Sequence, residues 1–178
     1  MDLQNITLVS FGYWENGFLQ SVAEIIALEL RVSVQIKEGH LDVSDFYDAA
    51  RLQYNATDLL QHIESNYAMS GEKTIGLFNV DLFIPIFTYI FGQAYLGGQS
   101  GIVSVFRLSN ERYGMPADDE LLLDRVCKEI IHELGHTFGL IHCYNAGCVM
   151  RAGSYVEDID QKSTEFCHSC RSLLFPQP

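Results

Sequence analysis

The stretch Ile131-His132-Glu133-Leu134-Gly135-His136-Thr137-Phe138-Gly139-Leu140-Ile141-His142-Cys143 decides how this chain is read. Just upstream, Pro116-Ala117-Asp118-Asp119-Glu120 opens a helix, with acidic residues at the cap and in the first turn. Apolar periodicity carries that helix to about Phe138, and Gly139 stands where a left-handed residue ends one. His132 and His136 lie four apart, so their imidazoles project from one face, a turn apart, and can reach one Zn²⁺. Glu133 sits beside that face, where its carboxylate reaches a water on the metal without being a ligand. After the turn at Gly139 the chain reverses and His142 approaches the same point. Three neutral imidazoles leave a fourth position open for water, which separates a catalytic zinc from a closed structural one. A chain of this composition would match the full spacing by chance on the order of once in 10⁵ cases. Without a metal, the histidines would need buried partners in an apolar run (Ile130, Ile131, Leu134, Phe138), which is costly.

A second constellation follows. Cys143 and Cys148 are separated by four residues, 18 residues follow, and Cys167-His168-Ser169-Cys170 closes the set. Paired thiolates closing two short loops around one metal make a tetrahedral site with no open position, which implies a structural role. Such a site would anchor residues 139–178, where large apolar side chains are few and little regular structure is expected. Two alternatives stand beside it: a pair of disulfides, disfavoured because the chain reads as intracellular, and a thioredoxin-like reactive pair at Cys167 and Cys170, disfavoured because no strand–helix–strand context surrounds it. Cys127, among Val126 and Ile130, reads as a small buried hydrophobe.

Working outward, residues 5–12 read as a strand ended by Gly12, residues 16–30 as an amphipathic helix, and residues 31–37 as a half-buried strand with Val32, Val34 and Ile36 on one face. Residues 44–63 read as a second helix with Asp45 near its start, and residues 73–81 as a third strand. Residues 88–95 and 102–108 read as two more strands joined by the hairpin loop Gly97-Gly98-Gln99-Ser100-Gly101. The expectation is an α+β fold: a twisted mixed sheet of about five strands with packed helices, including the long helix that carries His132 and His136.

The chain has 178 residues, 48% hydrophobic and 19% charged, enough for one well-cored domain over residues 1–178. Within it, an upper part to about residue 142 and a lower, metal-stapled part from about 143 are expected. The net charge of -12 repels phosphate backbones and anionic lipid, so nucleic acid and membrane are not expected as partners. No run of about 18 apolar residues is present. The segment Met1-Asp2-Leu3-Gln4-Asn5 carries no basic region, so no secretory signal is read and a cytoplasmic location is expected.

His132-Glu133-x-x-His136-x-x-Gly139-x-x-His142-Cys143, followed by Cys148-x-Met150 and Cys167-x-x-Cys170, resembles the archaemetzincins, zinc peptidases of the metzincin clan. The diagnostic part is residues 128–170; the loop between Met150 and Cys167, 16 residues long, is about one shorter than in the family. The resemblance implies a zincin-like fold and two zinc ions, one catalytic at His132, His136 and His142 and one structural at Cys143, Cys148, Cys167 and Cys170. It implies that Met150 forms a Met-turn, a hydrophobic floor beneath the catalytic zinc. It also implies that residues 88–95 form the edge strand above the cleft, where the backbone of Gly92, Gln93 and Ala94 pairs with an extended peptide. Tyr155 follows Met150 by five residues, a spacing unlike that of the tyrosines some metzincins use to stabilise an oxyanion.

The expected function is hydrolysis of peptide bonds by a metal-activated water with Glu133 as general base. Aminopeptidase action on short peptides is placed ahead of endopeptidase action, and a monomer is expected. The alternative is a binding module folded by the four-thiol zinc, with a non-catalytic or empty three-histidine site.

Overall fold

The structure is a computed structural model that describes residues 5–175. Residues 1–4, part of the segment read for a secretory signal, and residues 176–178 lie outside the described residues.

A five-stranded mixed sheet forms the frame. β1 (Asn5–Phe11), β2 (Ser33–Gly39), β5 (Glu72–Phe78), β7 (Gly92–Ala94) and β8 (Ser100–Ser104) are arranged in the order β2-β1-β5-β8-β7. The first four are parallel and β7 runs antiparallel to β8 at the edge, with Gly92 opposite Val103 and Ala94 opposite Gly101. Strand alternation divides the interior into two layers. Ile6 and Leu8 of β1 and Val103 of β8 face α1 (Phe18–Leu30) and α3 (Asp119–Thr137), packing with Val22, Ile26, Val126, Ile130 and Leu134. Val9, Phe11 and Ile102 face the other way, onto Leu59, Leu60 and Ile63 of α2 (Ala56–Asn66). Glycine at 97 (φ 67°) turns the β7–β8 hairpin, as the glycine-rich loop suggested.

The long helix follows the sequence closely. The Asp118 side chain accepts a hydrogen bond from the Leu121 amide at 2.9 Å and starts α3. Its end is a Schellman motif around Gly139 (φ 90°): the Leu140 amide donates to the Gly135 carbonyl at 2.9 Å, and the Gly139 amide to the His136 carbonyl at 2.9 Å.

Two expectations fail. Residues 44–63 are not one helix. Val43–Phe46 is a 3₁₀ turn, β3 (Tyr47–Asp48) and β4 (Gln53–Asn55) form a small hairpin, and only then does α2 begin. Asn55 explains the late start: its side chain accepts from the amides of Thr57 at 3.0 Å and Asp58 at 3.3 Å. Asn55 is extended, and Leu52 is left-handed at φ 57°, so helix cannot run through this stretch. β4 also pairs with β6 (Leu82–Phe83) to complete a three-stranded second sheet, and the rest of the 77–91 stretch is mostly irregular.

The region after Gly139 is neither irregular throughout nor outside the hydrophobic core. It forms α4 (Val156–Gln161) and α5 (His168–Leu174). Leu140, Val149, Met150, Val156, Ile159, Phe166 and Leu174 are buried in the same cluster as α1 and α3. Arg125 of α3 binds Asp160 of α4 through two contacts of 2.7 Å, while its third nitrogen donates to the Leu108 carbonyl and to Asn110 Oδ1, both at 2.8 Å. The sparse apolar residues of this region are spent almost entirely on the shared interior. The β2 edge departs from expectation more mildly: Val32 and Val34 pack on the core, but Ile36 is exposed.

Candidate active site and thiol centre

His132 and His136, one turn apart on α3, converge with His142 so that one nitrogen from each lies within 4.8 Å of the other two. Backbone carbonyls orient the first two rings. His132 Nδ1 is 2.8 Å from the Val149 carbonyl and His136 Nδ1 is 2.7 Å from the Leu140 carbonyl. A carbonyl only accepts, so each Nδ1 carries the proton and each Nε2 presents a lone pair. The two Nε2 atoms are 3.1 Å apart. Two lone pairs at that distance cannot hydrogen-bond each other, but they suit a shared cation: two ligands at zinc–nitrogen lengths and a tetrahedral angle stand about 3.3 Å apart. His132 is buried, His136 half-buried and His142 exposed, so the cluster opens to solvent on one side.

Burial holds all three imidazoles below their ordinary pKa, and the ammonium of Lys162 acts in the same direction. They are therefore neutral at pH 7, as metal ligands must be. Glu133 is buried beside them, and burial pushes its carboxyl well above the usual range, with Glu129 adding and Lys162 opposing. A cation at the imidazole lone pairs would favour the carboxylate.

The rings open into a cleft of about 510 Å³. Gly92, Gln93 and Ala94 of the edge strand line its upper side; Ala152, Gly153, Ser154 and Tyr155 line it from the chain after Met150. Gly92 has a packing reason the sequence did not disclose. A Cβ there would lie 2.9 Å from Glu133 Oε1 and 2.7 Å from the Ile102 carbonyl, so only glycine lets the strand sit this close to the carboxyl. The Gln93 amide turns to Thr57 Oγ1 at 3.3 Å. Met150 is fully buried under α3, its sulfur set against Gly135, where a side chain would collide with it. His40, His62 and His168 stand outside this cluster, and Cys127 is buried with its thiol pushed up to about 12 by burial.

Cys143, Cys148, Cys167 and Cys170 bring their sulfurs within 4.8 Å of one another, and none is disulfide-bonded. The Cys143 and Cys167 sulfurs are 3.8 Å apart, close to the roughly 3.8 Å edge of a tetrahedron of thiolates around zinc. The Cys170 amide and neighbouring sulfurs bring the Cys167 thiol down to about 7, while burial pushes Cys148 and Cys170 up. Four converging thiols shifted in opposite directions fit a cation better than they fit four protons. The Asn145 amide donates to Cys143 Sγ at 3.4 Å and the Cys167 amide to Cys148 Sγ at 3.3 Å, as expected around bound thiolates.

Two cleft residues escaped the sequence reading. Glu129 lies one turn before Glu133, and Lys162 follows α4; both are buried and paired at 3.0 Å. Glu129 has the i, i+4 spacing to Glu133 that places it on the same face; for Lys162, 33 residues away from its partner, no local pattern exists.

Comparisons with known proteins agree with this geometry. The model of peptidase family M54 matches residues 22–175. The archaemetzincin of Pyrococcus horikoshii is 42% identical over 164 residues, covering 89% of this chain and 86% of that protein. That of Thermococcus kodakarensis is 37% identical, covering 95% and 94%. Among solved structures, a zinc-dependent peptidase from Methanocorpusculum labreanum superimposes with a TM-score of 0.87 at 32% identity, covering 95% of this chain and 99% of that one. The archaemetzincin of Methanopyrus kandleri gives 0.83 at 35% identity, covering 97% and 94%. No helix among the described residues is long and apolar enough to cross a membrane. With the family model spanning most of the chain and relatives this similar over nearly its whole length, the protein belongs to peptidase family M54, the archaemetzincins, and is a zinc metallopeptidase.

Proposed function

We propose that His132, His136 and His142 hold a catalytic zinc, that Glu133 is the general base, and that Cys143, Cys148, Cys167 and Cys170 hold a second, structural zinc. The observation that carries this is the pair of Nδ1 protons committed to the Val149 and Leu140 carbonyls, which leaves two Nε2 lone pairs 3.1 Å apart with no proton between them. Bound zinc supplies the Lewis acidity that acidifies an attacking water and polarises the scissile carbonyl. Glu133 takes the proton from that water and delivers it to the leaving amine. The backbone of Gly92, Gln93 and Ala94 pairs with the extended substrate at the sheet edge, where β7 has a strand neighbour on one side only among the described residues. Met150 is the apolar floor, kept in place by the missing side chain at Gly135.

The cleft divides one domain into an upper part to about residue 142 and a lower part from about 143. Short peptides with a free amino terminus are the proposed substrates, and five free thiols suit a monomer working in the reducing cytoplasm. The test is hydrolysis of a peptide library, N-blocked and unblocked, with and without added Zn²⁺. Cleavage confined to unblocked peptides is expected. Cleavage of blocked peptides at internal bonds would replace the aminopeptidase reading with an endopeptidase. No cleavage at any zinc loading would favour a zinc-folded binding module.

A further inference from the structure

The proposed reaction makes no use of the buried pair Glu129–Lys162, yet both residues line the cleft. Their side chains are 7% and 1% exposed, and Lys162 Nζ is 3.0 Å from Glu129 Oε1. That oxygen has no directed hydrogen bond, so the contact is mainly one of charge. Burying such a pair is poor value for stability, since desolvation offsets most of the attraction and apolar residues of similar volume do as well. Its position gives it another use. Lys162 Nζ lies 3.5 Å from His132 Nδ1 and 3.3 Å from the Arg151 carbonyl. The Val149 carbonyl, at 2.8 Å, makes that Nδ1 a donor. The ammonium therefore finds no lone pair on the ring and faces its N–H edge, positive charge against positive edge. Glu129, three residues before His132 on α3, supplies the compensating negative charge.

We propose that the Glu129–Lys162 pair sets the affinity of the three-histidine group for zinc: Lys162 weakens it, Glu129 restores it, and the balance leaves the metal exchangeable. This rests on reading His132, His136 and His142 as a zinc site. Outer groups that orient or polarise metal ligands change affinity by about 10- to 100-fold. Through the low-dielectric cleft wall, a full charge beside His132 falls in the same range.

The experiment is a zinc titration against a competing chelator on the full chain, resolving the weaker site from the thiol site. Lys162→Met is expected to tighten the weaker site about tenfold or more, Glu129→Gln to weaken it, and the double variant to return within about threefold of wild type. Zinc at the thiol site, whose ligands contact neither residue, keeps its affinity throughout and reports that each variant is folded. Should Lys162→Met fail to fold, Glu129→Gln against the double variant reads the same sign. Lys162→Met binding zinc no tighter than wild type, or Glu129→Gln binding no weaker, overturns the proposal while the histidine site stands. A wild-type chain that takes up zinc only at its thiols overturns the histidine site and this proposal with it.

Discussion

The two ligand clusters are joined by a single peptide bond, between His142 and Cys143, and differ in almost every physical respect. The imidazoles run from buried to exposed and face an open cleft; the sulfurs are folded between a knuckle at Asn145–Gly147 and the start of α5. Rigid backbone carbonyls on α3's exit turn and the Met150 segment orient the histidines, whereas amides donate to the sulfurs. Carbonyl acceptors keep imidazoles neutral with a lone pair outward; amide donors stabilise thiolates. One centre is thereby arranged to exchange its contents with solvent and the other to stay closed, and the difference lies in the partners of the ligands as much as in the ligands.

The largest effect expected from breaking this contrast is on the closed side. Cys170→Ser should cost at least about 4 kcal/mol, since structural zinc supplies folding free energy directly; denaturant unfolding checks it. A loss below about 1 kcal/mol would mean that the shared hydrophobic interior alone holds the lower part. On the open side the effect should fall on rate instead. Glu133→Gln is expected to lower turnover at least about 100-fold, as removal of a general base does, with little change in the unfolding midpoint. Undiminished turnover would remove Glu133 from the reaction. A smaller loss, about tenfold, is expected for Gly92→Ala, whose new Cβ would press on the Glu133 carboxyl; even small misplacements of a reacting group are costly. Kinetics should show the loss in kcat; a loss confined to KM would mean that Gly92 acts only through substrate backbone.

The smallest expected effect concerns pH. With zinc removed from the histidines, folded imidazoles stay neutral while unfolded ones bind protons below about 6.5. The unfolded state then holds more protons, so stability falls as pH drops through 6.5. Glu133 acts oppositely: its folded carboxyl keeps a proton that the unfolded chain releases above about 4.5, so it subtracts stability as pH rises from there. In the zinc-stripped protein, Glu133→Gln should remove this second slope and leave the first, which thermal melts across pH 4–8 would resolve. Unchanged slopes in the variant would contradict the buried placement of this carboxyl.

Local signals were the legible ones. The α3 helix, its Asp118 cap, its Gly139 stop and both ligand sets follow from spacings of four residues or fewer plus one reversal. The 44–63 stretch was misread because Leu59, Leu60 and Ile63 supply helical periodicity only after Asn55, and an extended Asn followed by two free amides is a start signal that a longer apolar window hides. The lower part was undervalued because Val149, Val156, Ile159, Phe166 and Leu174 are too far apart to show a period, yet each reaches the interior shared with α3. Lys162 was invisible for a deeper reason: its partners, Glu129 and the Arg151 carbonyl, are set by tertiary packing alone.

The most direct test is the zinc content of fully loaded wild type beside that of His136→Ala/His142→Ala. Two zinc per chain in the wild type and one in a folded variant is the expected result. Two in both, or one in both, would contradict a cation held by these imidazoles.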